Sequence, residues 1–99
     1  MARKPAYHPL VASDLVAAIG RYESISPVLA DRFCTAIRDR LADIANRPEW
    51  FGLVQHGLRA AIVHRFPYVI LFSCREDRIL IVGVFHARSD RGPWFDRKR

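Results

Sequence analysis

Residues 58–86 read LRAAIVHRFPYVILFSCREDRILIVGVFH. Three apolar runs rich in Val, Ile, Leu, Phe and Tyr, the residues that suit a pleated surface, are separated by two short polar or Pro-containing links. The first link centres on Phe66-Pro67 and the second is Arg75-Glu76-Asp77-Arg78. Links this short cannot carry a crossover, so the three runs must be antiparallel neighbours forming a meander. In the first run Leu58, Ala60 and Ile62 alternate with Arg59, Val63 and Arg65, the period of a strand.

Upstream the period lengthens. Val11, Leu15, Ala18, Ile19 and Tyr22 recur at spacings of three and four, which predicts one helix, with Pro9 suited to its first turn. Ser24-Ile25-Ser26-Pro27 ends it and opens a second helix, with Ser26 as N-cap and Pro27 at the first helical position. There Leu29, Phe33, Ile37, Leu41 and Ile44 form the apolar stripe, and Asp31, Arg32, Arg38, Asp39 and Asp43 the polar face. Pro48 stops the helix. Ahead of both, RKPAYH at residues 3–8 suits a short edge strand, because Pro5 excludes a central one. The two stripes need a further apolar surface, and the meander supplies it. The expected fold is α+β: an N-terminal strand and helical hairpin packed on a C-terminal antiparallel sheet, as one domain over residues 1–99. The sheet face away from the helices is expected to be partly open. The ending DRKR reads as a frayed tail, and removal of residues 87–99 is expected to leave the domain folded.

A composition of 51% hydrophobic and 26% charged residues belongs to a globular chain rather than a disordered one. Cys34 and Cys74 both fall within regular elements, which fits a reduced, cytoplasmic protein better than a disulfide scaffold. No apolar run approaches the roughly 18 residues of a membrane span, so no membrane association is expected. The net charge of +6 is lopsided: residues 1–55 carry seven basic and six acidic side chains, residues 56–99 nine and four. Fourteen of the sixteen cations are arginine, the side chain suited to bidentate contact with carboxylates or phosphates. The partner implied is acidic.

The chemistry-bearing residues lie where the last apolar run gives out, in VFHARSDRGPW at residues 84–94. Arg88, Arg91 and Trp94 form a candidate contact surface for a macromolecular target. A packing role is the commoner one for such a tryptophan, as an aromatic that buries. His86 as acid or base, with Arg59, Arg65 and Arg88 as stabilisers, is the candidate set for RNA cleavage, in which a base takes the 2′-hydroxyl proton and cations stabilise the phosphorane. That set lacks a second proton-transfer group; Glu49 and His64 offer themselves by residue type alone. The bland alternative for His86 is a strand-end imidazole bonded to nearby backbone or to Asp90. The four histidines and two cysteines show none of the short paired spacings of metal sites, and the five glycines form no phosphate loop. No metal and no cofactor is expected.

Three stretches together resemble one family. YHPLVASDLVAAIGRYESISPVLADRF is similar to the opening helix pair of the RelE/ParE toxin superfamily of bacterial type II toxin–antitoxin modules. GLRAAIVHRFPYVILF resembles its Gly-x-Arg strand, Phe-Pro-Tyr link and aliphatic strand. VFHARSDRGPW resembles the His-x-Arg-x-Asp ending with a downstream Trp of ParE-like members. The resemblance implies a toxin neutralised by a cognate antitoxin, in a toxin–antitoxin hetero-oligomer. It implies DNA gyrase as the target if ParE-like, and ribosome-bound messenger RNA if RelE-like. The chain departs from common family patterns with Ser89 and Phe72, and its only lysines are Lys4 and Lys98. RelE-type nucleases use lysines and a tyrosine around the phosphate, so the resemblance favours a protein inhibitor over a metal-independent endoribonuclease.

Overall fold

The computed structural model describes residues 4–97. Strand β1 (Ala6–Tyr7) leads into helices α1 (Val11–Glu23) and α2 (Pro27–Asn46), then strands β2 (Arg59–Ile62), β3 (Tyr68–Arg75) and β4 (Arg78–His86), and a last turn of helix, α3 (Gly92–Phe95). The four strands form one sheet in the order β1-β4-β3-β2. The meander is as expected, with β3 antiparallel to both neighbours. The edge strand is also present, shorter than residues 3–8 and parallel to β4 through Ala6↔Leu80 and Tyr7↔Ile81. Arg3, at the start of the expected strand, lies outside the described residues, as do Lys98 and Arg99 of the tail.

Helix boundaries follow local chemistry. The Ser26 hydroxyl accepts the Leu29 N–H at 3.4 Å and Pro27 occupies the first turn, as the sequence predicts. α1 begins two residues later than Pro9 would allow. His8 takes the capping role instead: its carbonyl accepts the Val11 N–H and its Nδ1 the Leu10 N–H, satisfying donors that a helix start leaves open. At the β3–β4 hairpin Glu76 and Asp77 both adopt positive φ, the turn whose twist matches two antiparallel strands.

Between the hairpin and the sheet lies the main core. Phe33, Ile37 and Ile44 of α2 and Val11 and Ala18 of α1 meet Ala61, Tyr68, Ile70, Phe72, Ile79, Ile81 and Val84. A bulge interrupts the β3–β4 ladder, where Leu71 pairs with Gly83 but Phe72 with Ile81. The extra residue, Val82, rephases β4, so that Val84 returns to the helix side and Val82 turns to the back.

The back of the sheet is partly open, as expected: Ile62 on β2 is 70% exposed on that side, whereas the part formed by β3 and β4 is covered. Leu58, Val69, Leu71, Val82 and Phe85 form a second core, covered by Val54, Trp94 and Phe95. The physical signal is in YVILF and ILIVGVF, which are continuous apolar runs. A strand with one wet face alternates; a strand covered on both faces does not.

The tail is not frayed over its described part. Asp14 on α1 has a side chain only 7% exposed, and it gathers the C-terminus. Its Oδ2 accepts from Arg97 Nη1 at 2.7 Å, Trp94 Nε1 at 3.2 Å and the Val84 N–H at 3.0 Å, while Oδ1 accepts from Arg97 Nη2 at 2.8 Å. Arg97 Nη1 also donates to the Val82 carbonyl at 3.0 Å. Deleting residues 87–99 would strip the second core of Trp94 and Phe95 and leave Asp14 without two of its partners, so the domain is not complete at Phe85.

Gly83 makes this closure possible. A Cβ at this position would sit 2.3 Å from Trp94 Cδ1 and 2.8 Å from Arg97 Nη1, closer than atoms can approach. Gly83→Ala is therefore expected to lift the tail, at a cost of about 1–3 kcal/mol. Limited trypsin digestion should then cut at Arg91 and Arg97 markedly faster than in the parent chain.

Candidate functional site

β4 ends at His86, and the chain then turns sharply: the Ala87 N–H donates to the Pro67 carbonyl and the Ser89 N–H to the His86 carbonyl. His86 is half-buried, with its ring edge-on to Tyr68 at 5.3 Å between centroids. Its Nδ1 accepts the Arg88 N–H at 3.0 Å, which leaves the proton of the neutral ring on Nε2. Asp90 accepts the Gly92 N–H rather than engaging the imidazole. His86 therefore makes the backbone contact that a strand-end imidazole can make.

Arg88 and Arg91 are exposed along this turn, and the Arg91 guanidinium lies over the Phe85 ring at 5.5 Å. Trp94 is half-buried, 5.2 Å from the Phe85 ring, with its indole N–H on Asp14. So the three candidate contact residues share one short segment. That segment is tied to α1 at Trp94, whose indole N–H donates to the Asp14 carboxylate. Sequence reading missed Asp14 because its partners lie 70 to 83 residues away.

Around His86 a pocket of about 230 Å³ opens between α1 and the end of β4. Ser13, Arg21, Tyr68, Ser89 and Trp94 contribute to its wall along with Asp14. Close by, Tyr22 sits against Phe33 and Tyr68, and burial, reinforced by Tyr68, pushes its phenol pKa above the usual value.

Of the other members of the candidate cleavage set, Arg59 and Arg65 stand elsewhere. Arg59 pairs with Phe72 in the sheet whereas His86 pairs with Tyr68, which separates their rows by four residues of β3, roughly 13 Å. Half-buried, the Arg59 guanidinium donates to the Phe51 carbonyl. Arg65 belongs to no strand: it occupies the β2–β3 turn with φ at 66°, exposed, its Nε donating to His64 Nε2 at 3.2 Å. Glu49 falls in a 3-10 turn at Pro48–Trp50. The described residues include no group of three or more His, Cys, Asp and Glu placed to hold a metal ion.

Comparison with known proteins adds family identity to this geometry. No curated protein matches the sequence. A solved structure described as the chromosomal ParDE TA system from P. aeruginosa shares the fold, with a TM-score of 0.73 at 19% identity over 86% of this chain and 96% of that one. The family model described as "ParE toxin of type II toxin-antitoxin system, parDE" matches residues 6–91, nearly the full length of the chain. The chain belongs to the ParE toxin family of type II toxin–antitoxin systems.

Proposed function

We propose that this chain is a growth-inhibiting toxin that acts on DNA gyrase as a protein inhibitor and is held silent by an acidic antitoxin in a hetero-oligomer. The observation that carries the reading is the clasped C-terminal segment. It presents Arg88 and Arg91 on an exposed turn next to the Trp94 and Arg97 side chains that Asp14 ties to α1, a basic surface suited to a macromolecular target. The chain's excess of positive charge fits an acidic neutralising partner. A cytoplasmic location follows from such a target. Among the described residues no helix is long and apolar enough to cross a membrane.

Ribosome-dependent cleavage of messenger RNA is the competing reading, and the dispersal of its parts weighs against it. General acid–base catalysis needs two proton-transfer groups within reach of one phosphate. His86 has Asp14 as the only carboxylate in its pocket, and that carboxylate already accepts four hydrogen bonds. Arg59 and Arg65 face other surroundings.

Induction of the chain in a bacterial host separates the two. The expected result is arrested replication and an induced DNA-damage response, with messenger RNA 5′ ends unchanged in sequencing of RNA ends within minutes. His86→Gln, which keeps hydrogen bonding but cannot shuttle protons, should retain most of the toxicity. Codon-phased cuts abolished by His86→Gln would establish the nuclease instead.

A further inference from the structure

The pocket of about 230 Å³ beside His86 runs along one face of α1, where Ser13, Ala17 and Arg21 follow one another at helical spacing. Ser13 and Arg21 stand about 12 Å apart along the helix axis. The pocket is therefore a trough, longer than a single small anion. All three of these residues are exposed, so its α1 side lies open. Across from α1 lie Tyr68, His86 and Ser89, and Trp94 adds to the wall.

The trough is lined with donors that the fold leaves idle. The Arg21 guanidinium has no hydrogen bond or ion pair among the described residues. His86 spends Nδ1 on the Arg88 N–H, and its Nε2–H meets no acceptor among them. The hydroxyls of half-buried Ser89 and of Tyr68, a residue only 5% exposed, likewise bond to none of them. Polar groups so placed normally have a partner. The one carboxylate in the lining, Asp14, is neutralised by Arg97 and further engaged by the Trp94 indole and the Val84 N–H. The ligand implied is negatively charged and rich in acceptor oxygens, as a phosphate is. Arg88, next to Ser89 on the turn, is exposed, and Asp90 on that turn accepts the Gly92 N–H.

We infer that this trough is a phosphodiester site, and, resting on the reading above, that the strand it holds belongs to the DNA on which gyrase acts. One phosphate takes the Arg21 guanidinium and the His86 Nε2–H, with the Ser89 and Tyr68 hydroxyls completing its shell. Arg88 meets a neighbouring phosphate. An open trough suits a continuing chain better than a free phosphate, around which nothing closes. Such contacts fix a backbone and read no base, so the site is indifferent to sequence. RNA recognition turns on groups that read the 2′-hydroxyl, and the only carboxylate in the trough is already spent. The toxin thus touches both members of a gyrase–DNA complex.

The test is fluorescence anisotropy of a short labelled DNA duplex titrated with the full chain in the absence of gyrase. The parent chain should bind duplexes of different sequence alike and lose affinity steeply with added salt. Arg21→Gln should raise Kd at least fivefold and reduce the slope of log Kd against log salt by about one, the mark of one lost phosphate contact. Its melting temperature should stay within a few degrees, because Arg21 is exposed. Arg75→Gln, which removes the same charge at the end of β3, should change Kd less than twofold. An Arg21→Gln chain that binds like Arg75→Gln would overturn the site, as would no duplex binding by the parent chain at low salt. Tighter, Arg21-dependent binding of an RNA of equal length would overturn the choice of DNA. Displacement of the duplex by ATP or inorganic phosphate at matched phosphate concentration would overturn the choice of a strand. Immobilised, DNA-free gyrase keeps the two readings apart: it should capture Arg21→Gln as tightly as the parent chain. Failure to capture the parent chain would overturn the gyrase reading, while the anisotropy still decides the trough.

Discussion

Replacing Asp14 with alanine is expected to destabilise the domain by about 3–5 kcal/mol, the range for breaking a buried ion pair by removing one partner. The Arg97 side chain is only 10% exposed, so the variant strands a guanidinium that water cannot readily reach. The Trp94 indole N–H and the Val84 N–H lose their acceptor in the same step. For a domain of this size such a loss lowers the melting temperature by at least about 12 °C. Circular dichroism melts provide the measurement. The double variant Asp14→Leu with Arg97→Met removes both charges together and should lose clearly less than Asp14→Ala alone, because no charge is left buried without a partner. A fall of under 1 kcal/mol in Asp14→Ala would mean that the tail is not clasped as described.

The second large effect is expected at Phe33. Its side chain is fully buried at the centre of an aromatic cluster, with ring centroids at 4.9 Å from Tyr22, 5.1 Å from Tyr68 and 5.2 Å from Phe66. These tilted and edge-on contacts join α1, α2, the β2–β3 link and the start of β3, so one ring fastens the hairpin to the sheet. Phe33→Ala should cost about 3–5 kcal/mol, from lost transfer energy and from the cavity left behind. Phe33→Leu, which keeps most of the volume, should cost distinctly less. Chemical denaturation of the three chains checks the order. Equal stability of the alanine and leucine variants would show that the site collapses without a cavity.

The sequence discloses those parts of the molecule that depend on local repetition. Both helix stripes, the Ser26-Pro27 start and the two tight links of the meander are spelled in neighbouring residues, and the structure contains each of them. What it hides is long-range. β1 is two residues long and has no period to betray its parallel pairing with β4. The bulge at Val82 is a property of two strands together, yet it decides which side Val84 and His86 occupy. Asp14 falls on a helix among ordinary polar positions, and only the closure of the tail, 80 residues on, makes it a keystone. The covered part of the back face could have been read from the unbroken runs YVILF and ILIVGVF. Ile62 shows the limit of such reading, since it is 70% exposed at the outer edge of the sheet despite its apolar pattern.

The candidate cleavage set illustrates the same limit from the chemical side. His86, Arg59 and Arg65 suit phosphate chemistry by residue type, but strand alternation said nothing of where β2 ends. It ends at Ile62, and the turn beyond it carries Arg65 toward Leu29 and Ala36 of α2 instead of to His86. Arg88, Arg91 and Trp94 needed no register to be neighbours, because they lie within seven residues of one another.

The most direct test of the functional account is a supercoiling assay with purified DNA gyrase, relaxed plasmid and the folded toxin. The account predicts that added toxin blocks supercoiling or traps cleaved DNA at near-stoichiometric concentration. Arg88→Ala should weaken this effect by about 1–3 kcal/mol, the worth of a hydrogen bond to a charged group, and stoichiometric antitoxin should abolish it. Undiminished supercoiling by gyrase in the presence of folded, growth-inhibiting toxin would contradict it.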